Sequence, residues 1–330
     1  MDNILIDLSA KSLPARERSG MFQQGIVTLA LFFLGVSGAQ GKDTVAIFQP
    51  DLRAPYDQVF RVIINGIKET ADFKVSIRKI SSNDNQQTLS DWLDKKNIKA
   101  IIALGHQGLE VAKIVAGGRP VLVAVSLLSA DILEHDNIGG ISLAADPEAI
   151  IIELKRLIPA VKKIFVVYSP IHNDWLMQYA AKVAESNGIE LKSIAVSDLR
   201  QAAIQYKTVL NELETERSAL WLPLDPITVE NRTILPLILR VTWDRNLTLI
   251  SSNPLHAKRG ALLSVFPKNR QMGHNIANTV NKWLSTGNPD FEVKLLMDLG
   301  FAINIRTAAH LAINLDKEDL KRYDLKFPQN

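Results

Sequence analysis

From residue 42 onward, short apolar runs alternate with amphipathic stretches. "TVAIFQ" (44–49) is a β-branched-rich run, and Tyr56, Val59, Phe60, Ile63, Ile64 and Ile67 then recur at helical spacing. "KVSIRKI" (74–80) alternates as a strand, and "TLSDWLDKKN" (88–97) reads as a short helix with Thr88 as its N-cap. "KAIIAL" (99–104) predicts a strand that Gly105 turns into the helix "HQGLEVAKIVAG"; "RPVLVAVS" (119–126) and "IGGIS" (138–142) predict two more strands. Uninterrupted apolar strands alternating with helices imply a parallel sheet covered on both faces.

The same rhythm then restarts. "DPEAIIIELKRLIP" (146–159) opens on Asp146 as a cap, with proline in the first helical position. Strands are predicted at 162–169, 189–196, 218–224 and 247–252, and helices at 173–188, 199–214 and 228–246. A strand at 260–267, a helix at 269–287, strands at 291–296 and 301–305 and a small terminal helix complete the chain. The pattern predicts an α/β protein in which a doubly wound parallel sheet is used twice.

The chain has 330 residues, enough for about two domains. Its formal net charge is +3, and no basic cluster with interleaved aromatics appears, which argues against nucleic-acid binding. Cysteine is absent, so disulfides, thiolate catalysis and cysteine zinc sites are excluded. Residues 19–41 carry no charge and contain the apolar core "GIVTLALFFLGV"; Arg16 and Arg18 precede it, and Ser37 and Ala39 form a small-residue cleavage site. Residues 1–41 are thus expected to form a cleaved signal peptide region. The core is shorter than the ~20 residues of a membrane span. With no cysteine to carry a lipid, the expected location is the periplasm and not a lipoprotein anchor.

Ligands bind open parallel sheets beyond the carboxyl ends of the strands. Those ends here carry Gln49, His106-Gln107, Ser126, Ser169 with Asn173 following, Asp225 and Asn253, mostly neutral polar groups suited to hold a small molecule. Tyr56 and Trp175, each in the first turn of a helix after such an end, are candidate stacking surfaces. Asp225 lies between Pro223 and Pro226, where it can cap the following chain or meet a ligand ammonium; replacing it by alanine is expected to abolish binding and leave the ligand-free melting temperature nearly unchanged. No nucleophile, Walker or dinucleotide motif occurs, and the histidines are scattered singly, so neither catalysis, a cofactor nor a metal is expected.

"LWLPLDPIT" (220–228), "SSNPLHAKRGALLSVFP" (251–267) and "RQMGHNIANTV" (270–280), supported by "NIGGIS" and "LIPAVKKIFVVYSP", resemble the substrate-binding proteins of ABC transporters with the type I periplasmic binding protein fold, in the branch grouped with tryptophan- and tyrosine-binding members. The resemblance implies two lobes joined by a hinge of three crossings, near 143–147, 253–258 and 288–292. Lobe one is then 42–144 plus 256–287, and lobe two 145–255 plus 288–330. It implies a periplasmic protein, expected as a monomer, that captures a small organic ligand of amino-acid-like or aromatic kind and delivers it to an ABC permease. A sensor or accessory protein for an envelope receptor or kinase, and a periplasmic enzyme, are the alternative readings. Where the family usually shows Asp-Pro after the fourth strand, this chain has Ser126-Leu127-Leu128-Ser129, a departure that bears on the ligand.

Overall fold

The computed structural model describes residues 42–54, 57–81, 84–128 and 135–328. The expected signal segment 1–41 and Tyr56 lie outside the described residues.

The first sheet is built from β1 (Thr44–Pro50), β2 (Lys74–Ile80), β3 (Ile98–Leu104), β4 (Val121–Ser126) and β5 (Ile138–Ala145), all parallel, in the order β2-β1-β3-β4-β5. Helices α1 (Asp57–Thr70), α2 (Gln86–Lys95) and α3 (Gly105–Val115) connect the first four strands. The second sheet repeats this plan with β6 (Lys163–Tyr168), β7 (Glu190–Ala195), β8 (Ser218–Leu222), β9 (Thr248–Ser251) and β10 (Leu263–Pro267) in the order β7-β6-β8-β9-β10. Its helices are α4 (Pro147–Leu157), α5 (Pro170–Ser186), α6 (Leu199–Glu212), α7 (Ile234–Asp244) and α8 (Pro254–Arg259). Each sheet therefore reverses its winding once, between β1 and β3 and between β6 and β8, and opens a crevice beyond the carboxyl ends there. Both sheets are cored by the apolar runs read from the sequence: Val45 through Phe48, Ile101 through Leu104 and Ile164 through Val167 are at most 1% exposed.

Local signals set several boundaries. Asp146 accepts the Glu148 amide at 3.0 Å, with Pro147 in the first helical position, as expected. α2 starts earlier than expected, because Asn85 caps it by accepting the Thr88 amide at 3.1 Å. The helix expected from 228 begins only at Ile234. Ahead of it, Glu230 accepts the Thr233 hydroxyl and the amides of Arg232 and Thr233, and those bonds, the hydroxyl's first, hold its carboxyl below the usual range.

After β10 the chain runs through α9 (Asn269–Thr286), β11 (Val293–Leu296), β12 (Leu299–Asn304), α10 (Ile305–His310), α11 (Lys317–Lys321) and β13 (Leu325–Phe327). Here the pairing differs from expectation. β10 pairs parallel with β9 and antiparallel with β12, so 263–267 belong to the second sheet rather than to lobe one. β11 pairs parallel with β5, so 293–296 belong to the first sheet. The chain passes between sheets at 145–147, 267–269 and 296–299, where the expected crossings were near 143–147, 253–258 and 288–292. The reason is physical. Alternation marks a strand but does not name its neighbour, and β10 takes the open edge of β9 through the short turn after α8.

α9 packs on α1 through two glycines. A Cβ on Gly66 would overlap the Arg270 carbonyl oxygen, and one on Gly273 the Ile63 carbonyl oxygen, so these backbones touch. That contact seats the segment between the second and third passages on the first sheet.

Candidate functional site

A cavity of about 560 Å³ lies where the strand ends of the two sheets face one another. The first sheet contributes His106, Val125, Ser126, Leu127 and Leu143; the second contributes His172, the 223–226 turn, Val229, Asn231, Asn253 and His256. Its size is within the range of small-molecule sites.

The first-sheet wall turns on an irregularity in β4. Its register with β5 shifts between Ala124 and Ser126, and Val125 takes φ +62°. A β-branched residue in the left-handed region stores roughly 1–3 kcal/mol of strain. The bulge re-aims Ser126 and Leu127 into the cavity. Beyond it, the Leu128 amide donates to Ser142 Oγ at 3.1 Å, and the Leu128 carbonyl accepts Trp175 Nε1 at 3.0 Å. Trp175 sits on α5 against the second sheet, so this bond ties the two walls together.

Asp225 organises the opposite wall. Oδ1 accepts the amides of Ile227 at 2.9 Å and Thr228 at 3.1 Å, closing its own turn between the prolines. Oδ2 accepts the Ser169 amide at 2.7 Å and Asn173 Nδ2 at 3.0 Å. All four lone-pair positions of the carboxylate are used inside the protein, and the residue is 5% exposed. It lines the cavity as the fixed corner of a frame joining the ends of β6 and β8. Ser169 and Asn173 are fully buried behind it, and Ser169 Oγ and Asn173 Oδ1 have no hydrogen-bond partner among the described residues.

Of the residues expected from the sequence, His106, Ser126, Asp225 and Asn253 meet in the cavity. Ser169 and Asn173 stand behind its wall, and Trp175 bridges the walls without entering the lining. Gln49 is buried at the end of β1. Gln107 faces a separate pocket between α2 and α3. Its neighbour His106, at the start of α3, lines both that pocket and the cavity.

Three polar lining residues were not expected as ligand contacts: His172, Asn231 and above all His256. His256 is 4% exposed, and its Nδ1 lies 2.8 Å from Ser251 Oγ. Burial, helped by the nearby Arg259 charge, pushes its pKa down to about 4, so the ring is neutral at pH 7. The signal available in sequence was "SSNP": Asn253 caps α8 by accepting the Leu255 amide at 3.0 Å, which places residue 256 on the inner face of that single turn and a half. Among the described lining residues, Asp225 is the one carboxylate, and there is no lysine or arginine. No group of three His, Asp or Glu suited to a metal comes together among the described residues, and no described helix is long and apolar enough to cross a membrane.

Comparison with known structures agrees with this architecture. An ABC domain in complex with L-Trp from Streptococcus pneumonia aligns with a TM-score of 0.57 at 18% identity, covering 87% of this chain and 100% of that one. A ligand-free, open structure of a substrate binding protein with adhesive properties from Clostridium difficile aligns at 0.62 with 14% identity, covering 87% and 100%. A conserved domain protein from Vibrio cholerae aligns at 0.56 with 16% identity, covering 86% and 99%. At such identities the likeness is one of fold, that of the type I periplasmic binding proteins. Among curated proteins none matches. The family model for ABC transporter substrate binding proteins matches residues 56–324, most of the length of the chain, and the protein belongs to that family.

Proposed function

We propose that the protein captures a small organic solute in the cavity between its two sheets and delivers it to an ABC permease. The observation that carries this reading is the convergence of strand ends from both sheets on one cavity, at the two places where the winding reverses. In this reading 42–145 with 269–296 move as one lobe and 147–267 with 299–328 as the other, and the three passages between sheets are the hinge. The export pattern around Arg16, Arg18, Ser37 and Ala39 supports a periplasmic site of action.

A thermal-shift screen of amino acids, nucleosides, sugars and organic acids, followed by small-angle scattering on each hit, tests the reading. A solute at one hundred times its Kd adds about 2.7 kcal/mol of stability and compacts the particle. Turnover of a solute with no change in scattering would refute it.

A further inference from the structure

The cavity holds one imidazole whose hydrogen-bonding state is decided by the chain around it. Ser251 Oγ accepts the Asn253 amide at 3.1 Å and lies 2.8 Å from His256 Nδ1. Ser251 is 3% exposed, and its hydroxyl hydrogen has no acceptor in the described structure other than Nδ1. Were Nδ1 protonated, that buried hydroxyl would be left without a partner. Nδ1 therefore accepts, and the ring proton resides on Nε2. Nε2 makes no hydrogen bond to any described residue, while the ring lines the cavity beside Asn231, Asn253 and the Asp225 turn.

We propose that His256 Nε2–H is the specificity-determining donor of the cleft, meeting an acceptor oxygen or nitrogen on the captured solute, and that this solute is an uncharged polar molecule. The inference rests on the receptor reading above and narrows its ligand class. Two further observations support the absence of ion pairing. The Asp225 carboxylate has no lone-pair position left for an ammonium. Burial keeps the His256 ring neutral, so it offers a directional donor and not a charge.

Calorimetry on refolded full-chain protein uses matched probes that differ in charge: adenosine and adenosine monophosphate, glucose and gluconate, tryptophol and L-tryptophan. The neutral member of at least one pair binds, its charged counterpart binds at least about tenfold more weakly, and the affinity changes less than about twofold between low and high salt. His256→Asn keeps an acceptor near Nδ1 for Ser251 and removes the distal N–H; it melts close to the parent and binds about tenfold more weakly, the loss of one hydrogen bond. His256→Gln restores a distal N–H and recovers affinity relative to His256→Asn. Imidazole nitrogen shifts at pH 7 show protonated Nε2 and bare Nδ1. Tighter binding of a charged member, unchanged affinity in His256→Asn, or a protonated Nδ1 overturns this inference and leaves the receptor reading standing. Failure of every solute, in this set and in the wider screen, to bind overturns the receptor reading and takes this inference with it.

Discussion

Replacing Asp225 by alanine separates a frame from a ligand contact. The substitution removes the acceptor of the Ser169 and Thr228 amides, both buried, and of the partly buried Ile227 amide. Asn173 Nδ2 keeps only a long bond to the Leu224 carbonyl, at 3.4 Å. A buried donor left unsatisfied costs about 1–3 kcal/mol, and water entering from the cavity relieves the Ile227 end. Taking two amides at about 1.5–2 kcal/mol each, just below the middle of that range, gives about 3–4 kcal/mol. Unfolding entropy near ~2.1 cal/mol/K per residue amounts to ~0.6 kcal/mol/K for the roughly 280 described residues, so the ligand-free melting temperature falls by about 5–7 °C. This reverses the expectation drawn from sequence, in which stability was untouched. The assay is calorimetric unfolding of ligand-free protein, with urea titration to show an unchanged m-value. Asn173→Ala serves as a partner: the double variant should lose about 1 kcal/mol less than the sum of the singles. An Asp225→Ala protein melting within about 1 °C of the parent would refute the frame argument and return the carboxylate to the ligand.

Gly273→Ala drives a methyl into the Ile63 carbonyl at the α1–α9 crossing, where the three nearest atoms are all backbone; it should destabilise by about 2–3 kcal/mol in chemical denaturation. Glu153, 4% exposed, accepts from Arg156 at 2.9 Å and from the Tyr323 hydroxyl at 2.6 Å, fastening the segment after α11 to α4. Glu153→Ala leaves Arg156 and the phenol without their buried acceptor and should cost about 3 kcal/mol, with faster proteolysis of the last residues. The pKa of His256 is lower in the folded protein than in the unfolded chain, about 4 against the usual 6.5, so the unfolded chain binds the extra proton. Stability contributed by the neutral ring is complete above pH 6.5 and is lost as pH falls toward 4, by at most about 3 kcal/mol. The same titration on His256→Asn should lack that slope.

How much of this was legible in the sequence follows from the range over which each interaction acts. The repeated winding was readable because it is written in local apolar periodicity, and the Asp146-Pro147 start because a cap and its amide are two residues apart. The crossing points were displaced because β10 meets β9 and β12 through backbone pairing, which side-chain pattern does not encode. Asp225 was visible as the acid of a tight turn, and two of its four bonds are local. The other two come from Ser169 and Asn173, 56 and 52 residues earlier, and they turn a free carboxylate into an occupied one. His256 was hidden for a related reason. Beside Lys258 and Arg259 it reads as part of a solvated basic turn, yet the six-residue α8 folds back over the end of β9 and buries the ring against Ser251. The residues most informative about the ligand were therefore the ones whose ionic or hydrogen-bonding capacity is settled by neighbours distant in sequence or around a turn. Counting charged side chains at strand ends places the cleft. Only the record of which lone pairs are already occupied says what the cleft has left to offer a solute, and here that remainder includes the His256 ring beside the Asn231 and Asn253 amides, the Ser126 hydroxyl and the His106 and His172 rings.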